Sequence, residues 1–293
     1  MATARREERT FTDSYGIRIF YDVYTPGESD PAPRGVVQVL HGVGEHAGRY
    51  AHVAEALTAA GFIVYADDHR GHGRTGMEQH GGDRERLGRL GRGGLRAAED
   101  ACAQLTDIIR TAHTGLPLIL VGHSWGSFLA QMLLDAHPHA YDAVVLTGSA
   151  LRWPGALNSG DLNKPWKAAD AMGSEWLSSD LAVGRAFLDD PLTTSVPLAK
   201  LFGPLDTLRL IGKPAKNLPN DVPVLLMVGR DDTVGGPRSI HRLADAYRTR
   251  SGLSDVTTLI YPDVRHEVFN DVTRDDVIAD LLAWIDRRFP RRD

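Results

Sequence analysis

Short apolar runs recur along most of this chain. They are VVQVL (36–40), FIVYA (62–66), LILV (118–121), AVVLTG (143–148), VPVLLMVG (222–229) and TTLIY (257–261). Continuous apolar runs of this length are typical of parallel strands that are buried on both faces. Upstream of them, residues 17–25 alternate apolar and polar positions, with Asp22 on the polar side. This alternation predicts one antiparallel strand near the start of the chain.

The stretches between the apolar runs have helical spacing. Apolar side chains recur every three or four residues in 49–61, 95–110 and 275–289. Strands therefore alternate with helices, which predicts an α/β fold with a mostly parallel, doubly wound sheet.

One long segment breaks this alternation. Residues 151–219 have no strong strand signal, and they carry three of the five tryptophans. Structureless loops of this length are uncommon in compact domains. We therefore interpret 151–219 as a mostly helical cap over the sheet, with 1–150 and 220–293 forming the core.

Composition excludes several classes of function. The chain has 293 residues and a net charge of -5 at pH 7, and acidic residues accompany most of the basic clusters, so we expect no nucleic-acid partner. The single cysteine, Cys102, lies on the apolar side of a predicted helix, which favours a buried thiol without a disulfide. The charged N-terminal residues lack the apolar core of a signal peptide, and no apolar run approaches the ~20 residues of a membrane span. We therefore expect a cytoplasmic protein, and the absence of metal and nucleotide motifs predicts no metal and no cofactor.

The stretch GHSWG (122–126) stands between an apolar run and a helix-spaced segment. A nucleophile at the end of a strand must point its oxygen out of a tight turn, so the residues two before and two after it must be small. Gly122 and Gly126 satisfy this requirement around Ser124. The alternative is a close backbone approach without chemistry, but the strand before and the helix after favour the nucleophile.

A serine nucleophile needs a base and a group that orients the base. In folds with this strand-turn-helix element, the chain order is Ser, then Asp or Glu, then His. Asp231 and Asp232 follow the apolar run at 222–229, and His266 follows the run at 257–261. Both positions therefore reach the carboxyl edge of the sheet, where open α/β folds hold their ligands.

An oxyanion hole would complete this chemistry with two backbone N–H donors. One donor is expected from Trp125, the residue after the nucleophile, and the other from the loop after the first apolar run. In that loop Val43 lies between Gly42 and Gly44, which would let the backbone approach a substrate. A simple turn is the alternative explanation for the two glycines.

Four blocks resemble the monoacylglycerol lipase and lysophospholipase family of α/β-hydrolases. They are HGVGEHAGRY (41–50), ADDHRGHGRTG (66–76), VGHSWGS (121–127) and YPDVRHEVFND (261–271), and a weaker block at 175–192 resembles part of that family's cap. The resemblance implies an α/β-hydrolase fold, with the helical cap inserted after the sixth strand.

The resemblance also implies roles for individual residues. It makes Ser124 the nucleophile and His266 the base, with Val43 and Trp125 as oxyanion donors. The family's acid stands three positions after a strand-end glycine, and counting from Gly229 gives Asp232, with Asp231 as the fallback.

The chain departs from the family at two positions. Trp125 stands where the family more often has methionine, and Ser179 stands in the cap where many relatives carry arginine. The Trp125 indole would either narrow an acyl channel or pack beneath the cap. In the cap, we expect Trp153 and Trp176 to contact substrate.

Three functions remain open at this stage. The favoured one is an ester hydrolase that acts on a single-acyl lipid, either a monoacylglycerol or a lysophospholipid, with transient contact between the cap and a membrane surface. The second is an aminopeptidase that uses cap carboxylates to hold a substrate ammonium, or another small-ester hydrolase with the same triad. The third is a non-catalytic ligand-binding relative. The sequence does not fix the head group, the chain length or the oligomeric state. The candidate carboxylates of the second function are Asp170, Glu175, Asp180, Asp189 and Asp190.

Overall fold

An eight-stranded sheet forms the centre of the molecule in a computed structural model that describes residues 4–27, 31–158 and 160–291. Its strands are β1 (Arg5–Thr12), β2 (Arg18–Thr25), β3 (Gly35–Leu40), β4 (Phe62–Asp67), β5 (Leu118–His123), β6 (Ala143–Thr147), β7 (Val224–Gly229) and β8 (Val256–Tyr261). The strand order is β1-β2-β4-β3-β5-β6-β7-β8. β1 and β2 pair antiparallel, as do β2 and β4, whereas all other neighbours are parallel.

Helices cover both faces of the sheet. They are α1 (Ala51–Ala59), α2 (Gly73–Gln79), α3 (Gly94–Ala112), α4 (Trp125–Ala136), α5 (Leu181–Asp189), α6 (Leu198–Arg209), α7 (Gly236–Ala246) and α8 (Arg274–Asp286). Apolar residues of α3, α4 and α7 form one core cluster, and those of α1 and α8 form a second. Within the described residues, none of these helices is both long and apolar enough to cross a bilayer.

The doubly wound α/β prediction is confirmed. Each of the six apolar runs forms a strand, and β3 to β7 are buried along their whole length. This burial follows because helices pack on both faces, so neither face of these strands meets water.

The sequence reading missed β1, whose residues RREERTFT are almost all exposed. β1 lies at the edge of the sheet and pairs only with β2 among the described strands. Charged side chains are common on edge strands, because they discourage pairing with other chains. A charged edge strand therefore lacks the apolar signal that identifies the central strands.

Asp22 differs from its predicted environment. It lies on the expected antiparallel strand β2, but it is fully buried rather than solvent-facing. Arg6 and Arg74 each place a guanidinium nitrogen 3.0 Å from its carboxylate. The two arginines come from β1 and α2, and they supply the countercharge that a buried carboxylate requires.

The segment between β6 and β7 contains α5 and α6, with 9 and 12 residues, and a short 3₁₀ turn at Lys164–Trp166. Residues 151–180 are mostly turns and irregular chain, so the segment 151–219 contains less helix than the sequence predicts. α6 itself is interrupted at Gly203, which has φ +73°, directly before Pro204. We keep the name cap for residues 151–219.

Candidate active site

Ser124 occupies a strained turn between β5 and α4. Its φ of +51° and ψ of -122° lie outside the conformations that non-glycine residues favour. Residues 118–123 and 125–130 are buried, whereas Ser124 is partly exposed. A Cβ at Gly122 would lie 2.5 Å from the Gly126 carbonyl oxygen, and one at Gly126 would lie 2.3 Å from that of Leu40. The turn therefore needs both glycines, and it presents the serine side chain at the carboxyl end of β5.

His266 is paired with Asp232. Nδ1 of His266 donates to Oδ1 of Asp232 at 3.0 Å, and the two side chains are 1% and 0% exposed. The same carboxylate oxygen accepts the backbone N–H of Val234 at 2.8 Å, which fixes its position. Asp231 is exposed to solvent. Of the two candidate acids, the structure thus brings Asp232 to the histidine.

The two histidines of this site titrate differently. Burial alone would lower the pKa of His266, but the Asp232 carboxylate outweighs it through its charge and its hydrogen bond, so the pKa lies above the ordinary 6.5. His123 has no such carboxylate partner, and burial together with the nearby His266 lowers its pKa to about 3. His123 is therefore neutral near pH 7, whereas His266 can accept and hold a proton.

His123 connects the serine turn with His266. The two imidazole ring centroids are 4.7 Å apart, and a Cβ at Gly148 would lie within 2.9 Å of both rings. Nε2 of His266 is buried and has no hydrogen-bond partner in the part of the chain that the structure describes, so it is not bonded to the Ser124 hydroxyl. Catalytic hydrogen bonds without substrate are often long, and they tighten when substrate binds.

The two candidate oxyanion donors flank Ser124 from different segments. Trp125 is the first residue of α4, where backbone N–H groups have no intrahelical acceptor. Val43 lies in the turn that follows β3. A Cβ at Gly42, next to Val43, would lie 3.1 Å from Cβ of Ser124, so this turn approaches the serine closely.

The Trp125 indole is fully buried. The Trp125 ring stacks on that of His72 with a centroid distance of 5.0 Å. The ring of Phe202 in α6 packs edge-on against the Trp125 ring, also with a centroid distance of 5.0 Å. Of the two positions considered for the indole, this contact with Phe202 fits packing beneath the cap.

Sequence reasoning missed a buried ion cluster below the site. Arg49 donates to Glu45 at 2.6 Å and makes two hydrogen bonds to Glu267, at 2.6 and 2.8 Å. Glu45 in turn accepts the backbone N–H of Gly42 at 2.6 Å. The cluster therefore joins the turn that carries Val43 to the residue that follows His266.

The cluster had a signal in the sequence. Glu45 and Arg49 stand in HGVGEHAGRY, and Glu267 follows His266 directly, so charges occur where the surrounding pattern predicts burial. Burial would raise the pKa of Glu45, but the positive charge of Arg49, with further contributions from His123 and from hydrogen bonds of Tyr50 and Gly42, holds that pKa below its usual value. Buried charges of this kind require partners, and a search for opposite charges in the motif blocks would have suggested the pairing.

The cap contacts the His266 loop directly. The backbone N–H of Glu267 donates to the Leu177 carbonyl at 2.7 Å, and the ring centroid of Trp176 lies 4.9 Å from that of His266. Asp271 accepts the backbone N–H groups of Ser179 and Arg265 at 3.1 and 2.8 Å. Trp176 is thus held beside the imidazole, where the sequence predicts a substrate contact.

Trp153 lies in a different environment. It is 40% exposed, and the Lys213 ammonium stands 4.0 Å above its ring centroid. Its predicted substrate contact stays a prediction.

Several of the cap carboxylates already have partners within the fold. Glu175 accepts hydrogen bonds from two backbone N–H groups and one amide side chain, Asp180 caps α5, and Asp190 accepts from His46 at 2.9 Å. A carboxylate held this way has less capacity left for a substrate ammonium.

Comparison with known proteins identifies relatives over nearly the whole chain. Residues 31–273 match the family described as Serine aminopeptidase, S33. A monoacylglycerol lipase of Mycolicibacterium smegmatis is 34% identical, over 97% of this chain and 99% of the relative. The monoglyceride lipase of Homo sapiens is 25% identical, over 87% of this chain and 84% of its own length.

Solved structures agree with these sequence relatives. A highly thermostable carboxyl esterase from Bacillus coagulans, solved in complex with glycerol, superimposes with a TM-score of 0.83. It is 26% identical in sequence, and the match covers 99% of both chains.

Proposed function

We propose, for a chain that belongs to the Serine aminopeptidase, S33 family, that Ser124, His266 and Asp232 hydrolyse the ester bond of a lipid with one acyl chain. The chain is a monoacylglycerol lipase-like α/β-hydrolase and a serine ester hydrolase. The proposed roles of Ser124, His266 and Asp232 rest on one observation above all. It is the buried 3.0 Å hydrogen bond between His266 and Asp232, at the same sheet edge as the strained serine turn.

The proposed reaction begins with proton transfer. Nε2 of His266 takes the hydroxyl proton of Ser124 as the serine oxygen attacks the ester carbonyl, and Asp232 stabilises the imidazolium. The backbone N–H groups of Val43 and Trp125 donate to the developing oxyanion. His266 then returns the proton to the departing alcohol, and an acyl group remains on Ser124.

Water completes the turnover. His266 accepts a proton from a water molecule, which attacks the acyl carbonyl and releases the fatty acid. The Ser124 oxygen recovers its proton, so the enzyme returns to its starting state. No step requires a group beyond these side chains, the two backbone donors and water.

The preference for a single-acyl lipid rests on the relatives and on the cap. The relatives named monoacylglycerol lipase and monoglyceride lipase match at 34% and 25% identity. In this chain the ring of Trp176 lies beside His266, so an apolar cap side chain is available to an acyl group at the reacting centre.

A substrate screen with matched variants tests the proposal. We expect hydrolysis of monoacylglycerols or lysophospholipids, with kcat reduced by on the order of 10⁶-fold in Ser124→Ala. The control is Ser14→Ala, because Ser14 is exposed in the turn between β1 and β2. A fluorophosphonate should label wild type and Ser14→Ala but leave Ser124→Ala unlabelled.

The other outcomes select among the alternatives. Cleavage of aminoacyl-nitroanilides in preference to all esters would favour an aminopeptidase. Intact substrates together with an unlabelled wild type would favour a ligand-binding relative. Hydrolysis that survives in Ser124→Ala would remove this serine from the mechanism.

A further inference from the structure

Three potential metal ligands meet in the interior, away from the His266–Asp232 pair. Asp67 is the last residue of β4, His69 follows it by two positions, and Cys102 lies in α3. All three residues are buried, and one ligand atom from each lies within 4.8 Å of the others. The sequence predicts no metal site, because His69 and Cys102 are 33 positions apart and form no recognisable motif.

Hydrogen bonding within this group is incomplete. Nδ1 of His69 is 2.7 Å from Oδ2 of Asp67 and 3.7 Å from Sγ of Cys102. Oδ1 of Asp67 and Nε2 of His69 are buried, with no hydrogen-bond partner among the residues that the structure describes. The two side chains are only 2% and 0% exposed. The unpaired carboxylate oxygen of Asp67 requires an explanation, and an ion held between Asp67, Nδ1 of His69 and Sγ of Cys102 is one of the usual ones.

The charge of the group is also unbalanced. In the described part of the chain, His69 is the only ion-pair partner of Asp67, whereas the nearby Arg70 and Arg74 pair with other carboxylates. The Asp67 carboxylate is thus buried beside an imidazole and a thiol, without the guanidinium partner that Asp13 and Asp68 have. A buried carboxylate without such a countercharge is costly in a protein interior.

We propose that Asp67, His69 and Cys102 bind a divalent transition-metal ion of the zinc type. Imidazole nitrogen, thiolate sulfur and carboxylate oxygen are the ligand atoms that zinc takes in proteins. The Cys102 thiol releases its proton to solvent as the metal–sulfur bond forms. The carboxylate and the thiolate then balance the two positive charges, which removes the unpaired charge.

The position of the site indicates a structural role. The ion would tie the end of β4 to the middle of α3. The His41 ring stacks on His69 with a centroid distance of 4.0 Å, and His41 begins the turn that carries Val43. The metal would therefore stiffen the support of that turn. This proposal does not depend on the proposed hydrolysis, because none of its ligands belongs to the triad.

Cobalt incorporation tests the site, because Cys102 is the only cysteine of the chain. The full chain is produced in cobalt-supplemented medium, so that the ion is present while the buried site forms, and is then dialysed. We expect about one cobalt per chain and a thiolate-to-cobalt charge-transfer band in the near ultraviolet. That band can arise only from Cys102.

Matched variants separate this site from other histidines and carboxylates. Cys102→Ser should lose the charge-transfer band, and His69→Gln should reduce the cobalt content to background. His241→Gln should keep both signals, because His241 is exposed on α7. Thermal unfolding of wild type should shift to higher temperature with cobalt, whereas Cys102→Ser should show no shift.

The spectrum of wild type decides the proposal even if a variant does not fold. If wild type contains only background cobalt, the proposed metal site is wrong. It is also wrong if wild type binds cobalt without showing the charge-transfer band. Equal losses in His69→Gln and His241→Gln would show surface binding and would also overturn it.

Discussion

Individual residues of the proposed triad are held by different means. Ser124 depends on backbone geometry, since its positive φ is maintained by close contacts at Gly122 and Gly126. His266 and Asp232 depend instead on burial and on their mutual hydrogen bond. Strain at the serine and electrostatics at the histidine are thus separate properties, and substitutions can change one without the other.

At this scale we predict a pH effect for Asp232→Asn. In wild type, kcat/KM should rise with pH as His266 loses its proton, at a pKa above 6.5. Without the Asp232 carboxylate, only the weaker effects of Glu267 and Glu45 oppose burial, so the pKa of His266 should fall and the rise should move to lower pH. The plateau of kcat should fall by on the order of 10⁴-fold, since an amide favours the wrong imidazole tautomer.

The exposed neighbour Asp231 provides the control for this pH profile. Asp231→Asn should leave both the pH of the rise and the plateau unchanged. If the pH profile shifts in Asp231→Asn and not in Asp232→Asn, then Asp231 rather than Asp232 is the carboxylate that acts on His266.

Among the secondary-structure elements, the Arg49 cluster connects parts of the chain that are far apart in sequence. It joins the turn after β3 to the loop after β8, with 218 positions between Arg49 and Glu267. The Arg49 guanidinium also lies 5.1 Å above the ring centroid of Phe187 in α5. The turn that carries Val43, the loop that carries His266 and the cap therefore share one cation.

We predict that Arg49→Met lowers the free energy of unfolding by about 3–5 kcal/mol, because it leaves two buried carboxylates without a countercharge. Arg18→Met is the matched control, since Arg18 forms its ion pair with Glu78 at an exposed site where its side chain is 54% accessible. The loss in Arg18→Met should be much smaller, because water screens an exposed ion pair. Urea denaturation measures the free energy of unfolding of both variants. Equal losses would contradict the prediction that the buried Arg49 cluster stabilises the fold more than an exposed ion pair does.

The same elements explain how far the sequence could predict the structure. Apolar runs identified β3 to β7, because strands covered on both faces must be apolar throughout. The run at 257–261 also identified β8, although most of its residues are only partly buried. Glycine spacing and chain order pointed to Ser124, His266 and an aspartate after β7, since these depend on local turns and strand ends. The contacts of Glu267 with Arg49, and of Asp22 with Arg74, join distant segments, so a local pattern shows at most the unusual charges and not the contacts that they make.

Over the whole molecule, the cap differs from the core in its surface. Six of the large hydrophobic residues with exposed side chains belong to α5, α6 and the adjoining chain, namely Leu181, Leu188, Val196, Leu205, Leu208 and Ile211. The chain has five lysines, and all of them lie in the cap, at Lys164, Lys167, Lys200, Lys213 and Lys216. Exposed apolar side chains and lysines within one segment, which also carries carboxylates, suit contact with an anionic lipid surface.

We predict that the protein sediments with vesicles that contain anionic lipid, and less with neutral vesicles. The double variant Leu205→Ser and Leu208→Ser should weaken this binding, because the two leucines are 59% and 62% exposed on α6. Val272→Ser is the matched control outside the cap, since Val272 is also 62% exposed. If wild type, the double variant and Val272→Ser bind the vesicles equally, the two leucines of α6 do not contact the membrane.

The solitary buried thiol has a practical consequence for observing the cap. Because Cys102 is enclosed between α3 and the sheet, wild type offers reagents no readily accessible sulfhydryl. A substitution such as Leu188→Cys would introduce a unique attachment point for a fluorophore or spin label. Any movement of residues 151–219 during turnover could then be followed in real time, without first deleting a native cysteine.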